Sequence, residues 1–323
     1  VLSQILDRIP YLGTTASTCS MSVAKEAPAP NVLPVERCGS RDNPHSLRVP
    51  FSGYLESLEW CHKANADSLK KKGVRPHKPR VQWCHYSTAG NEEAVGGEFG
   101  DMIPVQLSGP GIGLLQGPAL CRAFRRALID CVPDPIPETI SGHLPDGSQS
   151  RKDHLGFAPL AFVGHQHADG HIMGLALLLP ASMEIDDRMH FVKGLSKLET
   201  LRTAIGNYAV DRCPESWTLS AGRYTRPSRQ WATITPIELP TFPNRKRKAS
   251  DVIRSACEHS GLPQPVRIDV ATHSVLKGSV SAREFERIRT PLYHARLSFD
   301  RPVAGPIALG RGRYLGLGLC LPC

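Results

Sequence analysis

Two groups of histidines have the residue types and spacing that acid–base or metal chemistry requires. Ser141-Gly142-His143 is followed by Arg151, Lys152 and His154, and further on comes the turn His165-x-His167-x-Asp169-Gly170-His171. Histidine titrates near neutrality and so can take or give a proton, while Lys and Arg stabilise developing negative charge. Histidines two and four residues apart, with a carboxylate among them, can instead hold Zn²⁺ or another divalent ion. Against that, neighbouring side chains on a short hairpin alternate between faces, and Asp169-Gly170 also suits a tight turn. A third group lies in the tail, residues 303–323, where Gly305, Gly310, Gly312, Gly316 and Gly318 are interleaved with Arg311, Arg313 and Tyr314. Glycine leaves backbone amides uncovered, so such a loop can set amide donors and guanidinium forks against phosphates. The same pattern also closes a β-sheet as a glycine-rich hairpin.

The chain must supply elements that position these groups. Residues 102–107 alternate like a strand and 109–113 form a glycine-rich turn. Pro118 suits a first helical position, and Leu120, Phe124, Ala127, Leu128 and Cys131 repeat at helical spacing, which turns Arg122, Arg125 and Arg126 off the core face. A polar loop over 133–153 carries His143. Residues 154–164 and 172–179 read as strands around the histidine turn, 186–201 as a helix with acidic residues in its first turn, and 208–213 or 216–220 as a closing strand. The order β-α-β-β-α-β is the split βαβ, ferredoxin-like arrangement. A second unit repeats it. Residues 231–239 are a strand; Ser250 caps a helix with Val252, Ile253, Ala256 and Cys257 on its inner face, and Gly261 ends it. Strands over 266–275 and 292–299 follow, with 282–288 helical between them and the tail as last strand. The basic cluster Arg245, Lys246, Arg247 and Lys248 precedes the helix. The fold class is α+β, with tandem ferredoxin-like units behind a less regular N-terminal segment. That segment holds a loop over 14–34, a helix over 55–72 and a basic run over 70–80, which is either solvated surface or a phosphate contact.

Composition narrows the partners. The 323 residues carry a formal charge of +9, which points to an anionic partner. The longest apolar run, 172–180, is too short to span a bilayer, and the N-terminal stretch lacks a secretory pattern. Ten cysteines are mostly scattered, and Cys320-x-x-Cys323 lacks the second pair a zinc site would need, so reduced thiols in the cytoplasm are expected. Aromatic residues make up 6% of the chain, which argues against an aromatic platform for single-stranded bases. Backbone recognition through Arg and Lys fits better.

Four stretches, in order, resemble one family: Arg8-Ile9-Pro10-Tyr11-Leu12-Gly13; Ser141-Gly142-His143 with His154; Pro159-Leu160-Ala161-Phe162-Val163-Gly164-His165 through Asp169-Gly170; and Gly305-Pro306 through Gly310-Arg311-Gly312-Arg313-Tyr314-Leu315-Gly316-Leu317-Gly318-Leu319. They resemble the CRISPR-associated fusion protein of type I-U (I-G) systems, in which a subunit holding the guide-RNA handle is joined to the endoribonuclease that cuts the repeat transcript. Both halves of that family belong to the RAMP superfamily. The resemblance implies that residues 1–97 are the C-terminal remnant of the handle-binding domain plus a linker. Residues 98–222 would then be the first ferredoxin-like domain of the endoribonuclease, and 223–323 the second, with the glycine-rich loop.

The implied activity is metal-independent cleavage of CRISPR repeat RNA through its 2′-OH, without a cofactor. The product would stay bound as guide RNA within a type I-U (I-G) interference complex, touching target DNA only indirectly and no membrane. In single-repeat processing enzymes of the superfamily, a catalytic histidine lies in or just after the first helix. Here that implies His143, with Lys152 or Arg151 steadying charge and His154 in reserve; the family's catalytic tyrosine has no counterpart in this loop. RNA contacts are expected from Arg122, Arg125, Arg126, Arg151, Arg245, Lys246, Arg247, Lys248, Gly310, Arg311, Gly312 and Arg313. Two alternatives remain open at this level. One is a non-catalytic RNA-binding subunit, and the other a metal-dependent hydrolase using His165, His167 and His171.

Overall fold

A computed structural model describes residues 32–35, 46–49, 54–68, 82–88, 94–212, 214, 216–285 and 290–323. The stretch 8–13, the loop 14–34 apart from its last residues, the basic run 70–80 and residues 286–288 of the helix expected over 282–288 lie outside them; residues 282–285 of that expected helix form a turn and bend. In the N-terminal part, β1 (Val32–Val35) and β2 (Ser46–Val49) flank β3 (Gln82–Thr88) in a three-stranded antiparallel sheet, and α1 is Tyr54–Ser68.

The expected order of the first unit is present. Strands β5 (Phe99–Ser108), β6 (Gly156–Ala161), β7 (Ile172–Pro180) and β9 (Gly206–Asp211) alternate with α2 (Gly117–Cys131) and α4 (Ile185–Lys197). The sheet order β6-β7-β5-β9, all antiparallel, is that of a split βαβ fold. The physical cause is visible in the residues. Leu120, Phe124 and Leu128 recur every four positions and are buried, and Phe124 meets Phe157 of β6 edge-on with ring centroids 5.7 Å apart. Strand β7 is buried along nearly its whole length because α2 and α4 cover one face and the second unit covers part of the other. The helix expected to run to residue 201 stops at Lys197. Leu198 caps it, and β8 (Thr200–Thr203) turns back in a hairpin onto β9, burying Leu201 by alternation instead. Residues 217–219 form a 3₁₀ turn rather than a strand, and the short helix α5 (Ala221–Thr225) follows it.

The second unit has the same strand order with one substitution. Strand β12 (Arg267–Ala271) pairs with β13 (Leu292–Ala304), which pairs with β10 (Ser228–Thr233), which pairs with β14 (Cys320–Pro322). Helix α6 (Ala249–His259) lies between β10 and β12 in the chain, buried through Val252, Ile253 and Cys257. Lys248, not Ser250, is its N-cap, and the Asp251 carboxylate accepts from the Lys248 N–H at 2.9 Å. The strand expected over 231–239 breaks before Pro236, which has no N–H to give a ladder, and resumes as β11 (Ile237–Glu238) beside β13. Where a second helix would connect β13 to β14, the glycine-rich tail takes its place.

The tail is tied to both units. Gly318 sits at φ +71 against the Leu309 carbonyl oxygen, where a Cβ would overlap it. The amides of Arg311, Leu315, Leu317 and Gly318 donate to Glu238, Gly312, Gly312 and Pro236 carbonyls, so these donors serve the fold instead of standing open to phosphate. Phe157 N–H donates to the Tyr314 carbonyl at 2.9 Å, adding the tail to the edge of the first sheet. Strand β4 (Val95–Gly96) pairs in parallel with Val303–Ala304 of β13, so the chain just before β5 belongs to the second sheet. Among the described residues no helix is long and apolar enough to cross a membrane.

Candidate functional site

Glu98 lies at the join of the two units. Its N–H donates to Ser260 carbonyl at the end of α6 (2.8 Å), and its carbonyl accepts from Ala181 after β7 (2.8 Å). The side chain is turned inward, 4% exposed, where Arg313 Nε reaches one carboxylate oxygen at 2.7 Å and the Tyr314 hydroxyl donates to the other. The Arg313 guanidinium also lies 4.5 Å from the Tyr314 ring centre. Burial, followed by the Glu98 contact, pushes the Tyr314 phenol up, so it stays protonated and donating at neutral pH. The Tyr314 ring then forms a flat seat. His154 stacks on it, centroids 3.8 Å apart and planes 19° off parallel.

His154 is held from the other side by the loop after α2. The short helix α3 (Glu138–Ser141) ends on Gly142 at φ +72, and a Cβ there would stand 2.8 Å from the His154 ring, so only glycine leaves room. Arg125 donates to the Ser141 carbonyl and is half-buried; it supports this loop and is not spread on the surface. His154 Nδ1 is 3.4 Å from the Lys152 carbonyl; with the proton on Nδ1, Nε2 keeps its lone pair. Burial first, and the Arg125 and Arg313 charges as well, hold the imidazole below its ordinary pKa against the opposing pull of the Lys152 carbonyl and Glu98. It is therefore neutral at pH 7, the form a general base needs.

The seat opens into a cleft of about 460 Å³ whose wall includes Arg151, Lys152, His154, His259, Arg311 and Arg313. Lys152 Nζ pairs with Glu138 at 2.9 Å but stays exposed. Arg311 is exposed and, among the described residues, makes no salt bridge. His259 stands on the last turn of α6, so the second unit contributes its own imidazole to a cleft otherwise built from the 149–154 loop and the tail. Asp153 also lines it, and burial pushes its carboxyl up.

The sequence-predicted residues divide. Lys152, His154, Arg151, Arg311 and Arg313 come together. His143 is exposed and bridged through its backbone to Gln149 at the cleft rim, and its side chain does not line the cleft. Arg122 and Arg126 are exposed on α2, and Arg245, Lys246, Arg247 and Lys248 are exposed before α6. Gly310 and Gly312 form the bend that carries Arg311, with a Cβ on Gly312 closing to 2.7 Å on Leu317. His165, His167 and His171 do not converge: the first two rings are 5.5 Å apart, His171 bonds Asp169, and among the described residues no group of three His, Cys, Asp or Glu side chains could hold a metal. That turn instead docks the units, with Gly164 N–H donating to Lys277 carbonyl at 2.8 Å and Lys277 Nζ donating to Gln166 carbonyl. Glu98, His259 and the Tyr314 seat were not expected from sequence. Glu98 meets Tyr314 across 216 positions, and no local pattern announces such a pair.

Two split βαβ units sharing a cleft lined by Arg151, Lys152, Arg311 and Arg313 define an α+β protein. The family whose description is CRISPR-associated protein, GSU0054 family, matches residues 115–322, and the chain belongs to it. Neither the curated proteins nor the solved structures contain a match to the chain.

Proposed function

We propose that this CRISPR-associated protein is the repeat-processing endoribonuclease of its system, cutting precursor guide RNA without a metal. The observation that carries the reading is the neutral His154 ring, seated on Tyr314 in a cleft lined by Arg151, Lys152, His259, Arg311 and Arg313. His154 takes the proton of a ribose 2′-OH, whose oxygen attacks the adjacent phosphorus. The bond to the 5′-oxygen breaks, leaving a 2′,3′-cyclic phosphate and a 5′-hydroxyl. The leaving oxygen needs a proton, and His259 or Lys152 stands on the same cleft to give it. Arg311, Arg151 and Lys152 offset the charge on the phosphorane. Tyr314 is a positioning residue, held by Glu98 so that the imidazole keeps one orientation. Residues 1–97 read as part of a handle-binding half, and the cut RNA stays bound to join the other subunits of an interference complex.

The test is a labelled repeat RNA incubated with the protein in EDTA. One cut with a cyclic phosphate end is expected. His154→Ala should remove cutting while leaving RNA binding within about threefold; His143→Ala should leave both. A requirement for divalent metal would favour the hydrolase reading on the 165–171 turn. Binding without any cutting by the intact chain would favour the non-catalytic RNA-binding reading.

A further inference from the structure

Next to the basic cleft is a second cavity of about 330 Å³, near the lower end of the roughly 300–1,000 Å³ typical of ligand pockets. Its character is different. Pro240 and Ala256 give it apolar walls over the buried Val252, and Gly310, held at φ +88 against the Glu238 carbonyl, lines its floor. Three residues, His259, Arg311 and Arg313, line both cavities, so the apolar slot and the basic cleft are one continuous depression with the guanidinium of Arg311 at their junction. Arg311 has its N–H fixed on the Glu238 carbonyl at 3.0 Å, while its side chain is exposed and unpaired by any carboxylate among the described residues. Polar groups at the margin are already ordered: Arg247 donates to the Ser255 hydroxyl at 3.0 Å, and that hydroxyl donates to the Asp251 carbonyl.

We propose that this slot is a nucleobase subsite: it receives one unpaired base of the RNA whose phosphate Arg311 holds. The proposal rests on the reading that RNA lies in the cleft, and it adds where a base beside the gripped phosphate goes. A ribose links phosphate to base over one nucleotide, which is the arrangement of a cationic junction opening on an apolar recess. An unstacked base presents an apolar face that such walls can cover, while His259 at the mouth offers an imidazole edge to its polar rim. The recess accepts bases mainly by shape and apolar contact, so it selects for an unpaired nucleotide more than for one letter.

The probes are the four nucleoside 5′-monophosphates and ribose 5-phosphate, titrated into the full chain by methyl-detected NMR. The monophosphates should bind about tenfold tighter than ribose 5-phosphate, the difference being the buried base, and only they should shift the Val252 and Ala256 methyl signals. Ala256→Phe, which fills the slot from a half-exposed position, should bring the two affinities together; Ala256→Leu, a smaller intrusion, should narrow the gap in the same direction. Equal affinities for the wild-type chain, or monophosphate binding that leaves the Val252 and Ala256 methyl signals unmoved, would overturn the subsite. Cutting of repeat RNA is scored on the same preparation. Cutting together with equal affinities sinks the subsite alone, whereas a base preference without cutting upholds the subsite and sinks the catalytic reading.

Discussion

Removing the Glu98 carboxylate should cost far more than its size suggests. Glu98 and Arg313 are 4% and 16% exposed, so solvent screens the pair weakly. In Glu98→Leu the Arg313 guanidinium loses its counter-charge, keeping the Gly310 carbonyl, and the Tyr314 hydroxyl loses its acceptor at the same stroke. Breaking a buried pair from one side costs about 3–5 kcal/mol, because the charge left behind is uncompensated. Arg313→Met should cost a similar amount, since Glu98 would keep only the tyrosine hydroxyl. The double variant removes both charges and leaves chiefly one unmet phenol, worth about 1–3 kcal/mol. The two single losses therefore sum to at least ~6 kcal/mol against at most ~3 for the double, a coupling of about 3 kcal/mol or more. Urea unfolding followed by the fluorescence of buried Trp231 and by far-ultraviolet circular dichroism measures all four proteins. Losses that simply add to within about 0.5 kcal/mol would show that the pair is not a buried unit, and the account of how His154 is seated would fall with it.

Other perturbations follow from the same geometry. Cutting should rise with pH through a value below the usual ~6.5 of histidine and then level off, because His154 acts as its neutral form and its pKa is depressed; a pH–rate profile that falls across this range contradicts the base assignment. Stability should decline as pH drops below ~6.5, since the unfolded chain protonates His154 and His294 more readily than the folded one, and His154→Gln should soften that decline in acid melts. Gly142→Ala should lower the melting temperature by an amount equivalent to about 1–3 kcal/mol and slow cutting, whereas Gly147→Ala, also at positive φ but with open space around it, should slow nothing. Arg311→Ala should reduce the salt dependence of RNA binding by about one unit of slope, while Arg125→Ala should destabilise the 138–154 loop and leave that slope nearly unchanged.

Much of the scaffold was legible because its periods are strong. The four-residue recurrence of Leu120, Phe124 and Leu128 and the apolar run of β7 announce a helix and a buried strand in any context. The structure departs from the expected elements where one pattern serves two structures. Leu198 and Leu201 continue a helical spacing, yet Leu201 is also the inward residue of a short strand, and the β8–β9 hairpin decided between them. The site was legible only in fragments. His154 and Lys152 could be named from the loop, but their setting depends on Tyr314 in the tail and Glu98 just before β5, both far away in sequence. His259 carries a faint local signal, a basic residue in a helix's last turn, which says nothing of what it faces.

The exchange of a helix for the glycine-rich tail explains how the cleft comes to exist. A helix between β13 and β14 would lie over the second sheet and present its backbone to no one. An irregular segment can cross from one unit to the other, and this one does so, bonding β11 through Arg311 and β6 through Tyr314 within four residues. That crossing sets Arg311 at the open side, turns Arg313 inward onto Glu98, and lays the Tyr314 ring under His154. The glycines are therefore needed for close approach between backbones, and what the crossing presents to the cleft is side chains, Arg311 above all. It follows that Gly318→Ala should damage cutting and folding together, while Arg311→Ala should weaken RNA binding at unchanged melting temperature. If Gly318→Ala folded normally and lost only RNA affinity, the tail's amides, and not its packing, would be its contribution to the site.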